Sequence, residues 1–177
     1  MRDRRGRSAL LLAVLLFAPW RPAKTQIVGA NRPSMPSFVV PSAGDGTLRL
    51  HDFRGGLLVV SLWTSTCIPC VAELPALDSL AGGLDSTRVV VLALNADISM
   101  WEAERLLIDH PVRHMRVGFG QGLLRDELHV FGVPVTWVVD TAGGIAYSWM
   151  GFWGRSQVQE IRDQLTNELG EPVEPSP

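Results

Sequence analysis

Two stretches of the chain are apolar at nearly every position: Leu57-Leu58-Val59-Val60-Ser61-Leu62-Trp63 and Val89-Val90-Val91-Leu92-Ala93-Leu94. Runs of this length and density predict strands covered on both faces, as in a sheet sandwiched between other elements. Between them the period changes. From Ile68 to Leu80 the apolar positions Val71, Leu74, Leu77 and Leu80 recur at helical spacing, and Gly82-Gly83 ends the pattern. A second helix is predicted from Ser99 to Asp109, with Ser99 as N-cap and Pro111 as the stop. A third is predicted from Gly122 to Phe131, followed by a strand from Val135 to Asp140. Ala142-Gly143-Gly144 reads as a hairpin turn into a strand from Ile145 to Met150. Arg155 to Leu169 closes the series as a helix with Val158, Ile161 and Leu165 on one face. Ahead of the first apolar run, Pro33 to Ser42 and Gly44 to Leu50 read as a short extended pair around Gly44-Asp45-Gly46.

Strands alternate with helices early and pair as a hairpin late. That order predicts an α/β fold with a mixed central sheet, helices on both faces, an extra N-terminal strand pair and an inserted helix. A thioredoxin-like fold has this layout.

Composition then divides the chain. With 177 residues, 46% hydrophobic, 19% charged and a net charge of -2, it has the material for one core and not the profile of a disordered segment. The near-neutral total conceals an asymmetry. Arg2, Arg4, Arg5 and Arg7 precede an apolar run from Ala9 to Ala18, the pattern of an export signal. The run is short of the roughly 20 apolar residues that a free membrane-spanning helix needs. Residues 1–30 are therefore expected to be an export signal or membrane anchor, and residues 31–170 a thioredoxin-like domain. Val28-Gly29-Ala30 suits cleavage by its small residues, although it lies far from the apolar run. Taken at Ala23, the leader removes five basic residues and one acidic one, leaving 11 basic against 17 acidic. Such a surface does not favour nucleic acid. The expected location is the periplasm or cell envelope. Residues 171–177, acidic and rich in proline, are expected to form a flexible tail.

The two cysteines carry the chemistry. Cys67-Ile68-Pro69-Cys70 falls where a buried strand hands over to a helix. The first helical turn presents unpaired N–H groups and the positive end of the dipole, which favour a thiolate. Thiolate is the attacking species in disulfide exchange. Cys67 is thus the expected exposed nucleophile and Cys70, one turn inward, the resolving thiol. Pro69 stands in the first turn, where its missing N–H costs nothing. A structural role for a disulfide here has little support, because closing so short a loop removes little chain entropy. Half of a zinc site is the other alternative, with His110 and His114 as an H-x3-H partner, but their distance from Cys70 far exceeds finger spacing.

Ser61-Leu-Trp63-Thr-Ser-Thr-Cys67-Ile-Pro-Cys70-Val-Ala-Glu73-Leu-Pro75 resembles the active-site stretch of the TlpA/ResA-like family of exported thioredoxin-fold thiol–disulfide oxidoreductases. The resemblance runs from about Pro33 to Leu169 and rests on several separated features. Trp63 stands four before the nucleophile, Pro75 five after Cys70, and Gly132-Val133-Pro134-Val135-Thr136 matches the segment bearing the family's cis-proline. It implies a redox-active Cys67–Cys70 disulfide with no other cofactor and no metal. It also implies that Glu73 modulates thiol protonation near the pair, and that the substrate-binding set is Val133, Pro134, Trp63 and Pro69. A solvated helix glutamate is the plainer reading of Glu73. A cis Val133–Pro134 bond would leave the Val133 backbone free to pair with an extended substrate segment. The partners implied are protein disulfides such as apocytochrome c, and a membrane electron-donor thiol–disulfide protein; the expected activity is protein-disulfide reduction, with cytochrome c maturation as its setting.

The chain also departs from relatives of the fold. Ser61 occupies the place of the buried aspartate of cytosolic thioredoxins, and Thr66 that of the tryptophan before the nucleophile. The loop around Trp149, Phe152 and Trp153 either offers an apolar platform to a partner or packs in the core. Two other functions fit the fold less well. A peroxiredoxin-like thiol peroxidase would use Thr64, three before Cys67, but Val60 stands where its proline belongs. A copper-binding chaperone would use His129, but the cysteine spacing is wrong for it.

Overall fold

A computed structural model of the chain describes residues 25–26, 31–122, 124–152 and 154–173. Of the expected leader only Thr25 and Gln26 are described; its other residues, with the Val28-Gly29-Ala30 site, and Leu123, Trp153 and the last four residues lie outside the described residues. The buried runs form the centre of a six-stranded sheet in the order β1-β8-β7-β4-β5-β6. Its strands are β1 (Thr25–Gln26), β4 (Leu57–Trp63), β5 (Val89–Asn95), β6 (Arg116–Phe119), β7 (Val135–Val139) and β8 (Ile145–Met150). β4 is buried at all seven positions and lies parallel to β5 and antiparallel to β7. A separate hairpin of β2 (Val39–Pro41) and β3 (Thr47–Arg49) is the expected extended pair, though each strand is only three residues long. The helices are α1 (Ile68–Gly82), α2 (Met100–Asp109), α3 (Leu124–Glu127) and α4 (Arg155–Leu169).

The alternation of side chains along β4 divides the core into two. Leu57, Val59 and Trp63 face α1 and α4, where Leu74, Leu77, Leu80, Ile161 and Leu165 are buried, with Ala103 of α2 in the same cluster. Leu58, Val60 and Leu62 face the other way, in one cluster with Val40 and Leu48 of the hairpin, Leu124 of α3 and Leu128 just after it. The second face is thus covered by the hairpin as well as by a helix.

The third helix needs correcting, and one strand was missed. The helix expected from Gly122 to Phe131 is a single turn. Gln121 and His129 have positive φ on either side of it, and Leu124 is its one buried residue, with the buried Leu128 just past its end, too few apolar contacts to sustain further turns. β6 was not predicted at all; it pairs in parallel with β5 from Arg116 to Phe119. The tail does not begin free. Glu171 pairs with Arg88, the Val173 N–H donates to Thr166 Oγ1 at 3.1 Å, and the Val173 side chain packs against the larger core cluster.

Candidate active site

β4, β5 and β6 end on one edge of the sheet, at Trp63, Asn95 and Phe119, and the antiparallel β7 begins there, with Val135 opposite Leu62. The segment that leaves β4 here carries the cysteine pair. Cys67 is the N-cap of α1 and Cys70 lies in its first turn. The two are joined in a disulfide, with Cα atoms 5.2 Å apart. Cys67 Sγ accepts the Cys70 backbone N–H at 3.2 Å, so the sulfur occupies the place of a capping oxygen on one of the orphan donors of the helix. Cys67 is half-buried and Cys70 wholly buried, which is the asymmetry expected of an attacking and a resolving sulfur. Pro69 is exposed beside them, and α1 runs through Pro75.

The loop that delivers Cys67 is fixed from β5. Both oxygens of the buried Asp97 accept the Ser65 N–H, at 2.9 and 3.1 Å. Asp97 is in turn held by Asn95, whose Nδ2 donates to Oδ2 at 2.8 Å and whose Oδ1 accepts the Asp97 N–H. The Cys67 N–H closes the loop onto the Thr64 carbonyl at 3.2 Å. Nothing in the cysteine motif points to Asp97; an N-x-D sequence just past a buried strand was the available signal.

The Val133–Pro134 peptide is cis, with Val133 half-buried and Pro134 buried. Trp63, expected among the substrate contacts, is fully buried and packs in the same cluster as Cys70, so it touches no incoming chain. Its side chain points to the α1 face of β4, where no solvent reaches. Its indole N–H has no hydrogen-bond partner among the described residues.

Glu73 is not the solvated residue that its position on a helix suggests. It is 1% exposed and reaches over the sheet at Ser61 and Thr136, which are register partners on β4 and β7. Thr136 Oγ1 donates to Glu73 Oε1 at 2.7 Å, and Nε2 of the buried Gln157, from α4, donates to the same oxygen at 3.0 Å. Ser61 Oγ lies 3.3 Å from Oε2. Burial penalises the charged form and raises the carboxyl to about 7, against the three hydrogen bonds, which favour ionisation. Ser61, where cytosolic thioredoxins carry an aspartate, thus borders a carboxyl supplied by α1.

The platform expected from Trp149 is also placed differently. Trp149 is a buried β8 residue whose Nε1 donates to Glu160 at 3.2 Å, while Phe152 is half-buried. Apolar exposure at the active-site edge comes instead from Ile68 (84%), Ile98 (90%), Phe131 (94%) and Met150. Isolated apolar residues in loops leave no periodic trace, so the pattern of the sequence did not single them out.

The alternatives find little at this edge. His114 packs on Gly82 at the far end of α1; a Cβ added there would come within 3.0 Å of its ring. That is about 20 Å from the cysteines at the helical rise. Among the described residues no three His, Cys, Asp or Glu side chains cluster as a metal site. Val60 is buried in β4 opposite Trp137.

Residues 32–148 match the AhpC/TSA family. The thiol:disulfide interchange protein DsbE of Pseudomonas fluorescens biotype C is 31% identical over 146 residues, covering 80% of this chain and 79% of that one. The thiol-disulfide oxidoreductase ResA of Bacillus thuringiensis subsp. konkukian is 22% identical over 74% of this chain and 76% of its own. Among solved structures, a secreted thiol-disulfide isomerase from Corynebacterium glutamicum superposes with a TM-score of 0.69, at 19% identity, over 85% of this chain and 96% of that one. The shared fold is thioredoxin-like, as the strand order implied. The chain belongs to the AhpC/TSA family, and within it is a thiol–disulfide oxidoreductase of the DsbE and ResA type.

Proposed function

We propose that the protein is a protein-disulfide reductase of the cell envelope, formed by residues 31–170 behind an export signal or anchor. The observation that carries this reading is the disulfide itself: a half-exposed sulfur capping a helix, a buried one a turn further in, and a cis-proline segment at the same edge. In the reduced protein, the Cys67 thiolate attacks a substrate disulfide. One substrate sulfur leaves as thiolate while a Cys67–substrate bond forms. Cys70, giving its proton to Glu73, then attacks Cys67 Sγ and releases the second substrate sulfur. Two electrons pass to the substrate, and the Cys67–Cys70 bond forms. The exposed apolar side chains Ile68, Phe131, Ile98 and Met150 suit a polypeptide substrate. The Val133 backbone suits its extended segment, by strand addition. Re-reduction is assigned to a membrane electron-donor thiol–disulfide protein, and apocytochrome c is the substrate class for which the family argues.

Cys70→Ser tests the mechanism, because it leaves Cys67 bound to its target. Adducts that disappear on reduction are expected in envelope extracts; their absence under conditions where Cys67 is reduced refutes the mixed-disulfide route. Equilibration with glutathione tests the direction. A potential near thioredoxin's roughly −270 mV agrees with a reductase, whereas one near about −120 mV marks an oxidant.

A further inference from the structure

The two oxygens of Glu73 are held unequally. Oε1 accepts from Thr136 Oγ1 and from Gln157 Nε2, which together use the two lone pairs of that oxygen. Among the described residues Oε2 has one hydrogen-bond partner, the Ser61 hydroxyl at 3.3 Å. An amide N–H can only donate, so a proton on Oε1 would face Gln157 donor to donor. A serine hydroxyl can donate to a carboxylate and, after rotating, accept from a carboxylic acid. Thr136 and Ser61 stand opposite each other across β4 and β7, so the carboxyl bridges a fixed pair of hydroxyls, while Gln157 secures it from the helix above.

We propose that Thr136 and Gln157 are positioning residues that keep Glu73 Oε1 an acceptor, so that the exchangeable proton of Glu73 is carried on Oε2 beside Ser61. This assignment rests on Glu73 as the proton-handling group of the reading above. It adds which atom takes the proton, and it draws α4, which bears no part of the cysteine motif, into the reaction. The groups that face the carboxyl are uncharged: hydroxyls from β4 and β7 and an amide from α4. On its own helix the titratable neighbour is Cys70, which is held in the disulfide in this state. Glu160, further along α4, is turned to Trp149.

The two kinds of contact respond differently to deletion. Donors on Oε1 are strongest to the ionised form, so losing either makes ionisation harder. Ser61 donates to the ionised form in this state, but its hydroxyl can turn to accept from the acid, so its loss moves the balance little. The test is the ¹³Cδ resonance of Glu73 in the oxidised full-length chain, followed from acid to alkaline pH. Thr136→Val and Gln157→Met should each raise the midpoint by about one pH unit, a tenfold change in proton affinity. Thr136→Ser should restore it, and Ser61→Ala should leave it within a few tenths of a unit. An equal rise in all three deletions overturns the assignment to Oε2. So does a fall on Gln157→Met, which would mean that the amide presents its oxygen. A wild-type Glu73 that never ionises in the range refutes both this assignment and its proton-handling role. If the midpoints move as stated but resolution by Cys70 is indifferent to Glu73→Gln, the role in catalysis falls and the positioning stands.

Discussion

Glu73→Gln gives the sharpest thermodynamic test of the site. The side chain keeps its shape, its carbonyl can accept from Thr136 and Gln157, and its amide can donate to Ser61, but it cannot ionise. In the wild-type native state burial holds the carboxyl at about 7, against an ordinary value of 4.5 in the unfolded chain. Between those values the native protein binds a proton that the unfolded chain has released, so stability falls as pH rises. The full effect is present above pH 7 and absent below 4.5. At 1.36 kcal/mol for each pH unit, the separation corresponds to about 3 kcal/mol lost on ionising a carboxyl that three hydrogen bonds only partly compensate. Urea unfolding of the oxidised protein and of Glu73→Gln, at steps from pH 5 to pH 8, reads this directly as a difference between two curves. The pair should be close in stability at pH 5 and diverge by about 3 kcal/mol at pH 8, with the variant the more stable. Curves that stay parallel over that range would show that Glu73 titrates alike in both states, and the account of its burial would be wrong.

Asp97→Ala should cost about 2 kcal/mol, because it strands the half-buried Ser65 N–H and the buried Asn95 amide; urea melts measure that, and stopped-flow attack on a small disulfide should show Cys67 slowed. A mutant with wild-type attack kinetics would remove Asp97 from the positioning of the loop. Gly118→Ala places a methyl 2.6 Å from Val40 Cγ2 and 3.2 Å from Leu94 Cδ2, where hairpin and sheet meet. A loss of about 1–3 kcal/mol is expected, read as a lower urea midpoint, and an unchanged midpoint would show that the hairpin can withdraw freely.

Much of this architecture was legible because its elements announce themselves locally. β4 and β5 are apolar at nearly every position, α1 and α4 repeat at helical spacing, and the turn between β7 and β8 carries two glycines. β6 escaped because four residues that include Arg116 and Gly118 make no period; it is a strand by virtue of pairing with β5. The cysteine pair was legible as spacing, since a helix start is a local event, whereas the cis-proline was legible only through the family resemblance. The state of Glu73 was not. Its partners come from β4, β7 and α4, and only the folded chain brings Ser61, Thr136 and Gln157 to one carboxyl. Trp63 differs the other way: the resemblance implied contact with substrate, whereas strand alternation turns it inward, where it is fully buried.

The β2–β3 hairpin has a consequence beyond filling the core. Ser42 bridges to Gly118, and the Ala43 N–H donates to the Val117 carbonyl, so the hairpin reaches across to the outermost strand, β6. At the opposite margin β1 lies along β8. A sheet margin left bare is a template for unselective pairing with any extended chain. On the proposed function, an oxidoreductase that acts on protein disulfides would meet extended chains in the course of its work. With both margins occupied, the proposed pairing of a substrate strand with the Val133 backbone beside Cys67 would compete with few alternative edges.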